Sequence, residues 1–174
     1  MRKVVGLLVV LLCFSAAAIA QDTPKGEFSA GFSYLRVNPG SSLPGVNLNG
    51  WYASMAGNLN DWFGIVGEFS GHYGKAANVG SDAHTYLFGP RISYRKNEKL
   101  TPFVHGLFGA ARAGAGPGTG TTAFAMAMGG GVDARVNDGI AIRAVQFDYL
   151  MSRFFDSTQH NLRLSVGITF RFAR

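Results

Sequence analysis

From Asn161 to Phe172 the chain alternates without interruption. Leu162, Leu164, Val166, Ile168, Phe170 and Phe172 fall on one side of an extended strand, and Arg163, Ser165, Gly167, Thr169 and Arg171 on the other, because successive side chains in a strand point to opposite faces. One face wants an apolar surrounding and the other tolerates charge. A soluble antiparallel sheet buries the apolar face of such a strand under a second layer. The rest of the sequence offers no obvious second layer: beyond residue 20 no window keeps apolar residues at helical spacing, and none runs to 18 consecutive apolar residues. The remaining solvent for that face is lipid. A sheet survives in lipid only when it closes on itself, since an open edge would leave backbone N–H and C=O groups unpaired where no water reaches them.

The first residues read as a processing signal rather than as part of the fold. Met1-Arg2-Lys3 supplies a positive start, Val4 to Phe14 a short apolar run, and Ala18-Ile19-Ala20 a small-residue cleavage site before Gln21. The apolar run is too short for a permanent membrane helix. Residues 1–20 are therefore expected to be removed, with Ala18 and Ala20 marking the cut, and residues 21–174 to form one domain. The single cysteine, Cys13, lies inside the signal, which leaves the mature chain without a disulfide. Leu12 and Phe14 around it do not fit a lipid-anchor site. The formal net charge of +6 includes Arg2 and Lys3, and the remaining charges are dispersed, so no nucleic-acid footprint emerges.

Taken in order, the mature chain divides into eight alternating segments. The first runs from Gly26, with Phe28, Ala30, Phe32 and Tyr34 on one face. The second covers about 48–58, the third about 62–72, the fourth about 83–95, the fifth about 101–113, the sixth about 122–136 and the seventh about 140–151; the eighth is the terminal stretch. Pro90 falls inside the fourth, where its missing N–H should interrupt the ladder. The fifth shows no clear polar face. The sixth sets Phe124, Met126, Met128 and Val132 against small residues, which leaves room for long side chains from elsewhere. The 24 glycines and 14 phenylalanines suit a curved sheet facing lipid better than they suit helices. The expected fold is all-β, an eight-stranded antiparallel up-and-down transmembrane β-barrel. Connections after strands two, four and six read as short, and those after one, three, five and seven as longer (37–47, 74–82, 114–120, 152–159). That is the pattern of periplasmic turns and extracellular loops, with both termini periplasmic.

With the bulky faces outward, the inward set includes Glu27, Glu68, Arg91, Asp133, Arg135, Arg143, Arg163 and Arg171. Eight strands enclose only enough space for side chains to fill, so these charges are expected to pair as an interior polar network rather than to line a wide pore. A turn at 137–139 places Asp133 opposite Arg143. Keeping Gln146 and Asp148 inside as well then requires a bulge near Ala144-Val145.

Ser165, Gly167, Phe170 and Phe172 stand at the spacing polar, any, Gly, any, any, aromatic, any, aromatic. This resembles the carboxy-terminal assembly signal of outer-membrane barrels, although Ala173 and Arg174 follow the final aromatic. The whole mature chain is similar to the small outer-membrane β-barrel family that includes OmpA-type transmembrane domains, OmpX and the opacity-type proteins. The resemblance implies a bacterial outer-membrane location and a structural or surface-contact role. It also implies two partners, outer-membrane lipid and, during insertion, the barrel-assembly machinery. No cofactor is expected, and the sequence names no surface partner.

Enzymes of the same shape exist. The family of lipid A deacylases carries a His-x-Ser pair near the end of its sequence, and His72, His84, His105 and His160 all lack a serine two residues on. A metal pair of His72 with His84 is conceivable across neighbouring strands. A narrow passive channel and a soluble lipocalin-like barrel are also compatible with eight alternating strands.

Overall fold

The computed structural model describes residues 23–38, 45–76, 79–115, 120–154 and 157–172. The expected cleavage residues Ala18 and Ala20 lie outside them. Eight strands form: β1 (Gly26–Val37), β2 (Val46–Asn58), β3 (Phe63–Ala76), β4 (Val79–Ser93), β5 (Leu100–Ala115), β6 (Thr121–Arg135), β7 (Ile140–Phe154) and β8 (Ser157–Phe172). Each pairs antiparallel with its sequence neighbour, and β1 pairs with β8, so the sheet closes into a barrel.

Closure uses the most regular stretch of the sequence. β1 and β8 pair from Gly26 with Phe172 to Arg36 with Leu162 without a register shift. On the inner face of this seam Ser29 meets Thr169 at 2.8 Å and Ser33 meets Ser165 at 2.9 Å. Each hydroxyl gives the other a partner, so the seam carries no unpaired polar side chain at these two levels.

The sorting of faces follows the alternation. Phe32, Trp51, Met55, Phe69, Phe88, Met128, Leu164 and Ile168 are exposed on the outside, whereas Ser33, Ser54, Glu68, Ser165 and Thr169 are buried inside. β5 obeys the same rule, with Phe103, His105 and Leu107 inward and Val104 and Phe108 outward. Its faces are hard to read because an apolar layer fills one end of the barrel: Leu35, Leu48, Leu107, Leu150, Ala125 and Ala127 form a buried cluster there. Both faces of β5 are therefore apolar over part of its length.

Pro90 opens a gap rather than ending the strand. β4 has no β5 partners at Gly89 and Pro90, yet the pairs Phe88–Phe108 and Arg91–His105 on either side keep one register. Pairing with β3 continues through Ile65–Pro90. β7 carries the expected bulge. Val132 pairs with Val145 and Asp133 with Arg143, which leaves Ala144 as the extra residue, and the register with β8 slips between Arg143 and Gln146. Ala144 and Val145 both face outward, so Arg143 before the bulge and Gln146 and Asp148 after it all face inward.

The expected contrast between short and long connections fails after β3 and β7. Pairing continues to Ala76–Val79 and to Phe154–Ser157, so the stretches 74–82 and 152–159 are strand apart from residues 77–78 and 155–156. Polar composition there does not end a ladder: once a hairpin projects past the apolar band, water solvates both of its faces while the backbone stays paired. At the other end three turns share one device. Asn60 Oδ1 accepts from the Trp62 and Phe63 amides, Asn97 Oδ1 from those of Lys99 and Leu100, and Asn137 Oδ1 from those of Gly139 and Ile140, all at 2.7–3.0 Å. In each case a side-chain carbonyl stands in for a main-chain acceptor and closes the turn.

Candidate functional site

The chemistry-bearing residues of this chain are stacked inside the barrel. At the Asn-turn end Glu27, buried on β1, bonds Arg91 of β4 and accepts from Arg95 Nη2 at 2.9 Å, with Arg171 Nε 3.7 Å away. Further in, Arg143 makes a two-pronged contact with Asp133, Nε to Oδ1 at 2.8 Å and Nη2 to Oδ2 at 3.1 Å. Its guanidinium lies 4.6 Å from the centre of the Phe103 ring, an arrangement that places the cation over an electron-rich face.

The next layer centres on Arg163, which is 0% exposed. It bonds Glu68 of β3 and gives Asp148 of β7 two hydrogen bonds, Nε at 3.0 Å and Nη2 at 2.7 Å. Asp148 also meets His105 Nε2 at 2.6 Å. Gln146 joins the two layers: its Oε1 accepts from Arg143 at 2.9 Å, and its Nε2 donates to Asp148 at 2.8 Å and Glu68 at 3.0 Å. Above lies a layer of hydroxyls in which Ser70 meets Thr85 at 2.6 Å and His72 Nε2 meets Ser33 at 2.9 Å. Small residues on β6 make this stacking fit. A Cβ at Gly129 would strike Asp148, and one at Gly131 would strike the β7 backbone at Val145.

Seven of the eight residues expected inside are there: Glu27, Glu68, Arg91, Asp133, Arg143, Arg163 and Arg171. Arg135 is not. It stands exposed where β6 ends and pairs with Asp138 in the adjoining turn at 3.0 Å, because the inward position there opens into the mouth of the barrel. Arg95, His105, Gln146 and Asp148 complete the network. Arg95 shares the inward parity of β4, and Gln146 and Asp148 become inward once the bulge is counted, so both signals were present in the sequence. Of the terminal motif, Ser165 is bonded inside, Phe170 and Phe172 face outward at the Asn-turn end, and Gly167 lies under Tyr52, whose Oη would be 2.6 Å from a Cβ at that position.

The histidines separate. His72 is buried inside, whereas His84 faces out, 3.0 Å from the Tyr73 hydroxyl and 3.4 Å from Asp82. The barrel wall stands between them, so they cannot share a metal ion, and no group of metal-binding residues occurs among the described residues. The contact between Ser33 and His72 pairs a hydroxyl with an imidazole, but His72 Nδ1 has no partner to orient the ring. That arrangement lacks the third member that a nucleophilic relay uses.

The outer surface carries its own pattern. Between the two ends the outward positions of all eight strands hold no charged residue. At the end opposite the Asn turns, Arg36 on β1, Lys75 on β3, Arg112 on β5 and Arg153 on β7 all face outward and are exposed. Arg36, Lys75 and Arg153 each sit one residue from the end of their strand. Asp82 is the acidic residue at that level on the outward face among the described residues, and it lies beside His84. A band of apolar side chains thus ends in a margin of cations on alternate strands.

Comparison with known proteins agrees with this architecture. The profile of the outer membrane protein beta-barrel domain family matches residues 6–172. No curated protein matches by sequence. Among solved structures, Neisserial surface protein A is similar with a TM-score of 0.73 at 14% identity, over 85% of this chain and 97% of that one. Ail, the attachment invasion locus protein of Yersinia pestis, gives 0.57 at 19% identity over 85% and 99% of the two chains. OprG from Pseudomonas aeruginosa gives 0.57 at 10% identity over 87% and 98%. With an uncharged outer band, a closed wall and a profile match over nearly the whole length, the chain belongs to the outer-membrane β-barrel domain family and is an outer-membrane protein.

Proposed function

We propose that this chain is a non-enzymatic outer-membrane barrel with a structural and surface-contact role, its interior filled and its outer surface the working part. The observation that carries this is the interior ion-pair stack. Arg163, Gln146 and Asp148 are fully buried at one level, which supports a plug that braces the wall rather than a bore that conducts. The cationic margin supports an orientation: Arg36, Lys75, Arg112 and Arg153 at the outer leaflet, beside lipid phosphates, with the Asn turns and both termini in the periplasm. Because the only cysteine lies in the expected signal, single-cysteine labelling tests this directly. Gly120→Cys is expected to react with a membrane-impermeant maleimide in intact cells, and Asp138→Cys only after lysis; the reverse pattern would overturn the orientation. In the same cells unchanged lipid A masses are expected, and a new lipid A species would point to a lipid-modifying enzyme instead.

The terminal residues Ser165, Gly167, Phe170 and Phe172 serve, on this reading, as the label recognised by the barrel-assembly machinery. Phe170 and Phe172 stand outward at the final strand end, where another protein can reach them before the seam closes. Phe172→Ala is expected to lower the amount of barrel inserted in cells severalfold while leaving refolding of purified chain into detergent unchanged. Equal loss in both assays would make Phe172 a packing residue only.

A further inference from the structure

The Asn-turn mouth of the barrel has more positive charge than its own residues neutralise. Glu27 is the carboxylate shared by three guanidinium groups, those of Arg91, Arg95 and Arg171. The next carboxylate inward, Asp133, is occupied by Arg143. The three arginines find further acceptors in the Asn58 side chain, the Asp61 carbonyl and the Thr101 hydroxyl. These are neutral, so they satisfy N–H groups without balancing charge. Two charges remain in excess, and the buried Nε atoms of Arg91 and Arg171 lack a hydrogen-bond acceptor.

Of the three guanidinium groups, those of Arg95 and Arg171 border a cavity of about 470 Å³ that opens at this mouth, within the range of roughly 300–1,000 Å³ usual for small-molecule sites. Arg95, Arg171, Ser93 and Thr101 line its wall. The Arg171 side chain is 7% exposed. At the rim, Lys96 and Arg135 stand against Asp61, Glu98 and Asp138, so the surplus of positive charge lies in the depth of the cavity, where counter-ions in bulk water screen it least.

We propose that this cavity binds a phosphate group in its dianionic form. The planar guanidinium fork matches phosphate oxygens, the hydroxyls of Ser93 and Thr101 add donors, and the negative charge meets the guanidinium groups of the depth, which outnumber the one carboxylate there. The site is independent of the role given to the outer surface.

The test is calorimetric titration of the folded full-length barrel in an uncharged maltoside detergent, with inorganic phosphate and with chloride at matched ionic strength. Saturable binding of phosphate and none of chloride is expected, and the affinity should fall as pH drops through the second pKa of phosphate, where the dianion takes up a proton. Arg171→Gln should weaken it at least tenfold, Glu27→Gln should tighten it, and Arg36→Gln at the opposite end should leave it unchanged. Heat-modifiable migration establishes that each variant is folded. Repeating the titration in neutral vesicles doped with phosphatidic acid, whose headgroup is a phosphomonoester, separates the sources: a soluble phosphate still binds, whereas a lipid headgroup already seated in the cavity abolishes the response. Absence of saturation with the wild-type barrel in maltoside, or equal binding of phosphate and chloride, overturns the proposal whatever the variants do.

Discussion

Arg163→Met is expected to destabilise the folded barrel by about 3–5 kcal/mol, the cost of removing one partner from a buried ion pair. The substitution removes little volume but leaves Glu68 and Asp148 facing each other inside the wall with their shared cation gone. Gln146 and His105 remain as donors to them, and neither carries a fixed charge. Urea unfolding from lipid vesicles, followed by the heat-modifiable shift on gels, measures the loss. The triple variant Arg163→Met, Glu68→Gln, Asp148→Asn should recover most of it, since a neutral layer no longer holds uncompensated charge. If the triple variant is as unstable as the single one, the arginine acts by packing rather than by charge.

A few residues further along the same strand the sign of the chemistry inverts. Val166 faces outward, 43% exposed, between Leu162, which pairs with Arg36 of the cationic margin, and Phe172 at the Asn-turn end. Val166→Arg is expected to cost about 2–4 kcal/mol in a bilayer, the range for arginine on the lipid face near the midplane. The same change at Thr158, on the outward face near the strand's far end, should cost about 0–1 kcal/mol, because depth sets the penalty. Vesicle unfolding of the two variants side by side reads the difference. Equal costs would mean that the outer face does not sense membrane depth.

The parts of this architecture legible in the sequence were those set by short-range periodicity. The outward faces of β1, β2, β3, β4, β6 and β8 follow from alternation alone. So does the pairing of Asp133 with Arg143, because a turn at 137–139 fixes which residues face one another. Strand ends were less legible. Residues 74–82 and 152–159 have loop composition yet pair as strand, since backbone hydrogen bonds are indifferent to polarity once both faces meet water. Arg135 was misplaced for a related reason: parity says which way a side chain points, but not whether the barrel still surrounds it. The inward face of β5 around Phe103 is obscured because that strand borders the charged stack at one end and the apolar cluster at the other. The cationic margin was hidden differently. Its four members lie far apart in sequence, and only the closed register sets them side by side.

The extra residue at Ala144 acts on β7 as a frameshift acts on a message. Before it, odd-numbered residues face the interior; after it, even-numbered ones do. Deleting Ala144 would leave Arg143, Val145, Gln146, Phe147 and Asp148 in unbroken alternation, so the bulge would vanish while each of these side chains kept its side of the wall. Deleting Phe147 would do the opposite, since the chain would have to turn either Gln146 or Asp148 toward lipid. Length changes in this wall are therefore constrained by phase: away from the bulge, a single insertion or deletion in a spanning segment is tolerated only where a compensating slip restores the phase before the next charged residue. The drift of such a sequence over time should show substitutions freely on its lipid face, and indels almost only outside the band.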